Sequence, residues 1–358
     1  MRYIRALMLG VALVALVVAC SGYVLLREIR APAGVADEPV EVTIEQGDST
    51  SMIATKLSRA ELIRQPILFT ALVRTQGLDG KLQAGSYLLR PSMTMAEIIG
   101  ALQNSRVSEI MVTIPEGLRL EEIAARVAAS GVIDEAGFLS AARNADPFRE
   151  QYFLLQSLPA GASLEGYLFP DTYRISATST VTSVLALMLD RFSEQYATIE
   201  KDVRVPNRSV HEIVTMASIV QREAVLTDEM PRIAAVFWNR LDPERGAETV
   251  GRLGADPTVQ YALGYSQQEQ TWWRKELTAE NLAIASPYNT RENAGLPPGP
   301  IAAPGVDALR AAAQPLENSQ DLYFVASCAR DGSHQFAATF EEFQQYEAAY
   351  LACSGGGG

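Results

Sequence analysis

Residues 6 to 26 read ALMLGVALVALVVACSGYVLL, a run of 21 residues without a single charge. At about 1.5 Å of rise per residue, one helix of that length crosses the roughly 30 Å hydrocarbon layer of a bilayer. The run is also longer than the about 7 to 15 apolar residues of a cleaved signal. The expectation is a single-pass transmembrane helix over residues 1–27, with the folded mass after it. A lipoprotein signal competes, because small residues precede Cys20 in VVAC, but Val24, Leu25 and Leu26 carry the apolar run past that point. Arg2 and Arg5 on one side and Arg27 and Arg30 on the other set the orientation only weakly.

Residues 28–40, EIRAPAGVADEPV, are rich in Pro, Gly and Ala and read as a tether. With 48% hydrophobic residues in a chain of 358, the sequence beyond the tether can fill two cores. Residues 41–105 predict a small α+β module: strands at VTIE and GSYLL, helices at STSMIATKLSRA and PILFTALVRTQG, and a helix opened by the capping pair Thr94 and Glu97. Residues 106–353 start with a strand at MVTIPEG and a helix closed by Gly131, then alternate helices with Gly/Pro-rich loops without a regular βαβ repeat. That pattern predicts a larger mixed α+β domain, so the whole chain is of the α+β class, with a flexible tail at 354–358.

Thirty basic against 42 acidic side chains leave a net charge of −12, a poor match to nucleic acid. Two histidines, His211 and His334, and three cysteines, Cys20, Cys328 and Cys353, fall at no zinc spacing, and HEIVT lacks the second histidine of a zinc-protease helix. The residues call for no metal and no cofactor, a carboxylate-only Mg or Ca site being the alternative left open. GASLEG is not a nucleophile elbow and no Ser-x-x-Lys occurs.

Ser209 and Glu212 form a capping pair just before the apolar run of HEIVTMASIV, which sets a helix start near Val210. Ile213, Met216, Val220 and Glu223 then share one side of that helix, with Arg222 projecting roughly opposite, toward the polar side. A carboxyl on an apolar seam is partly desolvated, which raises its pKa. A salt-bridged or solvated helix end is the bland alternative. Three polar loops could hold a sugar. EGYLFPDTYRI carries Glu165, Tyr167, Asp171 and Tyr173; GADPTVQYALG carries Asp256, Thr258, Gln260 and Tyr261; SPYNTRENAGLPPGPIAAPG carries Tyr288, Asn289 and Thr290. Taken singly, each set is also what turns and cores use.

The segments EGYLFPDTY, ASIVQREA, ADPTVQYALG, SPYNT, GLPPGPIAAPG and YFVASCARDGSHQFAATFEE, in that order, make the chain resemble the MltG/YceG family of membrane-anchored endolytic murein transglycosylases over roughly residues 40 to 350. The resemblance implies that Glu223 is the catalytic residue and that residues 41–105 are a LysM-like module. It also implies a single-pass protein of the bacterial inner membrane, with its catalytic domain in the periplasm, acting on peptidoglycan glycan strands, with peptidoglycan synthases as candidate partners. The chain departs from the family at Gln221 and Arg222, where an acidic residue often precedes the catalytic position. It departs again at Arg291, where a Tyr commonly follows SPYNT, and at the cysteine of ASCARDGSH.

The implied reaction is non-hydrolytic cleavage of the β-1,4 bond between N-acetylmuramic acid and N-acetylglucosamine, leaving 1,6-anhydro ends that terminate or trim nascent strands. One carboxyl suffices for it, whereas most glycoside hydrolases use two. The available second carboxylates, Asp171, Glu165 and Asp256, are expected to position substrate. A hydrolytic muramidase and a non-catalytic wall-binding scaffold are the alternatives. In an exported domain Cys328 and Cys353 are expected to form a disulfide.

Overall fold

The computed structural model describes residues 27, 31–34, 38–103, 109–176 and 179–354. The anchor expected at residues 6 to 26 and most of the expected tail lie outside them. Among the described residues no helix is long and apolar enough to cross a membrane. Those residues form twelve α-helices and six short strands that pair only in twos, so helix packing builds most of the core of this mixed α+β chain. They divide into two compact units, one running to Ile110 with Ser176, the other comprising Met111–Ile175 and the chain from Ser179 onward.

In the first unit β1 (Val40–Ile44), α1 (Thr50–Arg59), α2 (Pro66–Thr75), β2 (Gly85–Leu89) and α3 (Met95–Gln103) succeed one another. The strands are antiparallel, with Val42 opposite Tyr87. Their alternation turns Val42, Ile44, Tyr87 and Leu89 into a core shared with Leu57, Phe69, Ile98 and Leu102. The capping pair forms as its residues suggest: Glu97 Oε2 accepts from Thr94 N at 2.7 Å and Thr94 Oγ1 accepts from Glu97 N at 3.3 Å.

Strand β3 (Glu109–Thr113) pairs with β4 (Thr172–Ser176), and between them lie α4 (Leu120–Ala128) and α5 (Glu135–Ala142). Then come α6 (Val181–Ala197), α7 (Val210–Glu223), α8 (Met230–Leu241), α9 (Asp256–Leu263), the single turn α10 (Ala279–Leu282) and α11 (Val306–Ala313). An antiparallel hairpin, β5 (Tyr323–Ala326) and β6 (His334–Ala337), precedes the last helix, α12 (Phe340–Ser354). Cys328 in the hairpin turn and Cys353 on α12 form a disulfide with a Cα–Cα distance of 6.0 Å.

Two elements differ from the expectation. Helix α7 carries no single apolar stripe: every residue from Ile213 to Val220 is buried, because α8 and α11 pack around it as the central helix of the unit. Its polar members stay satisfied. Thr215 donates to His211 O at 2.7 Å, and Ser218 donates to Thr215 O at 2.7 Å while accepting from Ile301 N at 3.0 Å. GADPTVQYALG, expected as a loop, is mostly helix α9, opened by Pro257 in the first turn, where a missing N–H costs nothing, and ended at Gly264 with φ +68°.

Candidate active site

Helix α7 begins where its capping box demands: Ser209 Oγ accepts from Glu212 N at 3.2 Å and Glu212 Oε2 accepts from Ser209 N at 2.9 Å. Its buried middle fixes the rotation and depth of the helix, and its last residue, Glu223, leaves that core half-buried. Among the described residues the Glu223 carboxyl has no hydrogen-bond or ion-pair partner. Burial, reinforced by the negative charge of Asp256, pushes its pKa up to about 7, against the pull of Arg240, Arg291 and Arg222. The result is a carboxyl that holds a proton near neutrality and commits it to no other group in the protein.

Arg222 does not reach the polar side that its helical position suggested. It folds back half-buried, stacks 3.8 Å over the Trp273 ring and donates to Gly117 O at 3.2 Å. A helical projection gives the direction in which a side chain leaves the axis, but not what waits there.

The three segments singled out in the sequence converge only in part. Glu165 is buried, and both of its oxygens lie 3.1 Å from Leu120 N at the start of α4. Tyr261 on α9 donates to Glu165 Oε2 at 3.3 Å, and burial raises this carboxyl to about 7 as well, against those hydrogen bonds and the Arg119 charge. At the other end of α9, Asp256 pairs with Arg291, its Oδ1 lying 2.7 Å from Nε and 2.6 Å from Nη2. Tyr288 packs against Tyr261 with ring centroids 4.8 Å apart.

Several predicted ligand residues are bonded into the scaffold. The Thr258 and Thr290 hydroxyls, both buried, meet at 2.8 Å; Thr258 donates to Ala255 O at 2.6 Å and Thr290 Oγ1 accepts from Ala255 N at 3.1 Å, latching the start of α9 to the SPYNT turn. Asn289, fully buried, donates to Leu282 O and Ile284 O, both at 2.9 Å, and accepts from Arg291 N at 3.0 Å. Gln260 donates to Arg274 O at 2.6 Å. Asp171 pairs with Arg191 of α6 at 2.6 Å, and the buried Tyr173 donates to Phe169 O at 2.5 Å. Among the described residues, no hydrogen bond or ion pair joins Asp171 or Tyr173 to Glu223. Tyr167 and His211 are bonded at 3.1 Å, and His211 Nε2 lies 3.0 Å from Pro298 O, which anchors the Pro/Gly loop to α7.

Sequence reasoning passed over Arg119, Trp272 and Trp273. The Arg119 guanidinium lies between the Tyr261 and Trp272 rings, 4.4 and 4.1 Å from their centroids. The WW pair was the one available signal, and pairing it with particular arginines needs the fold.

The unit presents a proton-holding carboxyl at the end of its central helix, next in sequence to the Arg222 that stacks on Trp273. A model of the YceG-like family matches residues 42–349. The chain belongs to that family. It is 30% identical over 324 residues to the endolytic murein transglycosylase of Bacillus subtilis (strain 168), covering 87% of this chain and 85% of the relative. Against the endolytic murein transglycosylase of Streptococcus pneumoniae serotype 2 (strain D39 / NCTC 7466) it is 32% identical over 308 residues, covering 80% of this chain and 54% of that longer relative. The crystal structure of the yceG-like protein lmo1499 from Listeria monocytogenes superposes with a TM-score of 0.56 at 31% identity, covering 87% of this chain and 99% of that one.

Proposed function

We propose that this chain is an endolytic peptidoglycan lytic transglycosylase with Glu223 as its single acid and base. The observation that carries the reading is the Glu223 carboxyl itself, half-buried, without a protein partner among the described residues and holding a proton up to about pH 7. Protonated Glu223 donates to the glycosidic oxygen between N-acetylmuramic acid and N-acetylglucosamine as the C1–O bond breaks. The glutamate then takes the proton of the muramyl C6 hydroxyl, whose oxygen closes onto C1 and leaves a 1,6-anhydro end. The proton lost in the first step is recovered in the second, so one residue completes the cycle without water. A hydrolytic muramidase ordinarily uses a second carboxylate, as nucleophile or to activate water, and one less committed to protein partners suits that role better. Glu165 is bonded to Leu120 N and Asp256 is paired with Arg291, so both are committed in that sense.

The rest of the reading comes from the family. Residues 41–105 act as a LysM-like wall-binding module, supported by the β1–α1–α2–β2 order and the antiparallel pairing of its strands. Residues 6 to 26 anchor the chain in the inner membrane, with both folded units in the periplasm beside the synthases that make nascent strands. Glu165, Asp256 and Tyr288 shape the substrate cleft.

The test is Glu223→Gln. General acid–base help is worth about 10² to 10⁴ in rate, so turnover falls by at least that much while strand binding remains. Mass analysis of wild-type products shows 1,6-anhydromuramyl ends. Reducing ends would establish the hydrolytic reaction instead, and retention of more than about a tenth of the rate by Glu223→Gln would remove this residue from the chemistry.

A further inference from the structure

Residue 222 is a cation placed next to the reacting carboxyl. Its guanidinium is half-buried, stacked on Trp273 and bonded to one backbone carbonyl, and among the described residues it forms no ion pair. Its Nε is buried without an acceptor. Glu223, the next residue, is largely neutral below about pH 7 and does not balance it there. The opposing charge that acts on it, that of Glu122, lies outside ion-pair distance and already accepts from Trp273 Nε1 and Arg119 N, so the half-buried guanidinium is only partly balanced, which is costly to maintain. Arg208 and Arg291 of the same unit each have a carboxylate within 2.8 Å.

The wall around Arg222 is built to stay still. Trp273 Nε1 donates to Glu122 Oε2 at 3.0 Å, and Gln260 holds the next residue through Arg274 O. Trp272 stacks on Arg119, which is itself tied to Glu121 at 2.7 Å. Both indoles remain half-buried, each with a guanidinium over one face. Rigid aromatic surface offers apolar contact to the C–H face of a sugar ring, and a stacked guanidinium offers planar donors to a carboxylate.

We propose that Arg222, Trp272 and Trp273 form a subsite for the muramyl unit, the indoles packing on the sugar and Arg222 binding the carboxylate carried by its lactyl group or by an attached acidic peptide. This rests on the transglycosylase reading above and adds to it a source of selectivity: a glycan whose sugars bear carboxylates is preferred over a neutral polymer of N-acetylglucosamine.

The experiment measures binding to full-length Glu223→Gln protein in detergent, which holds strands without cutting them. Four probes are used: strands with acidic stem peptides, strands stripped to the free lactyl carboxylate, the same strands with all carboxyls amidated, and a neutral N-acetylglucosamine oligomer. Adding Arg222→Gln is expected to weaken the carboxylate-bearing strands about tenfold, as for loss of one charge-assisted hydrogen bond. Amidated strands and the neutral oligomer keep their affinity, and Arg222→Lys, which keeps the charge but not the stacked planar donors, recovers only part of the loss. Whether stripped strands respond as fully as peptide-bearing ones tells which carboxylate is read. Trp273→Leu weakens all four.

Equal effects of Arg222→Gln on charged and amidated strands, or no effect of Trp273→Leu on any probe, overturns the subsite. Should Arg222→Gln fail to fold, salt decides: affinity of the Arg222-containing protein for carboxylate strands, but not amidated ones, falls between low and high NaCl, and a shared response overturns the subsite. Failure of the underlying reading looks different, with no strand bound by any variant and no anhydro product from wild type.

Discussion

Glu223→Gln is expected to stabilise the fold while destroying turnover, and only above a certain pH. The native carboxyl holds its proton to about pH 7, against about 4.5 for the unfolded chain, because burial penalises the charge and Asp256 adds to the penalty. The folded state therefore binds more protons between these values, and stability falls as pH rises through that window. Below pH 4.5 both states are protonated and nothing is lost; above pH 7 the penalty is complete. The full difference corresponds to about 3 kcal/mol, and screening at a half-buried position brings it to about 1 to 2 kcal/mol. Glutamine is neutral throughout and similar in size. Thermal melts of full-length protein in detergent should give Glu223→Gln and wild type the same midpoint at pH 4.5. At pH 8 the variant should melt roughly 2 to 8 °C higher, on the scale for large domains. Identical midpoints at both pH values, or a variant less stable at pH 8, would show that the carboxyl is not desolvated and would sink the argument for its raised pKa.

The same carboxyl sets the pH profile of activity: kcat/KM falls as pH rises through about 7, because the acid must be protonated to donate. Arg291→Gln removes a charge that lowers the Glu223 pKa and frees Asp256, which raises it, so the alkaline limb moves upward, by about 0.5 to 1 pH unit for charges interacting at an effective dielectric of about 20. Breaking the Cys328–Cys353 link, which spans a sequence separation of 25, costs about 3 kcal/mol, read as a lower denaturant midpoint with reductant and no such shift in Cys353→Ser. Gly166→Ala forces a methyl into Pro300 at a backbone φ of +80°, and a loss of about 1 to 3 kcal/mol is expected from the same melts.

What could be read from the chain was what local chemistry writes. The capping pairs at Ser209 and Thr94 and the strand alternation around Val42 depend on residues three or two apart, and each has its own signature. Asp256–Pro257 misled because the dipeptide that opens a helix is also the one that makes a turn. Thr258 and Thr290 were drawn toward substrate because a hydroxyl looks the same whether it meets a sugar or another threonine 32 positions away. The Arg222–Trp273 stack joins residues with no sequence relation at all. Local rules fix elements and their ends. They are silent on which polar groups the tertiary fold has already satisfied.

That silence matters most at Glu223, where opposing contributions decide the chemistry. Burial alone can drive a glutamate to about 8 or 9. Such a residue is a reliable proton donor and, once ionised, a strong base, but it would regain its proton from solvent too readily to wait for the muramyl hydroxyl. An exposed glutamate near its ordinary 4.5 is a ready base and has no proton to give at neutral pH. A single residue that must do both in turn works best near the ambient pH. Asp256 and the end of a buried helix push Glu223 up, while Arg240, Arg291 and Arg222 hold it down. Each of these side chains comes from a different part of the chain: α7 itself, the end of α8, the start of α9 and the SPYNT turn. In the proposed reaction the loops and the latch between Thr258 and Thr290 serve the chemistry by fixing the charges whose balance would leave one carboxyl able to give a proton and take it back.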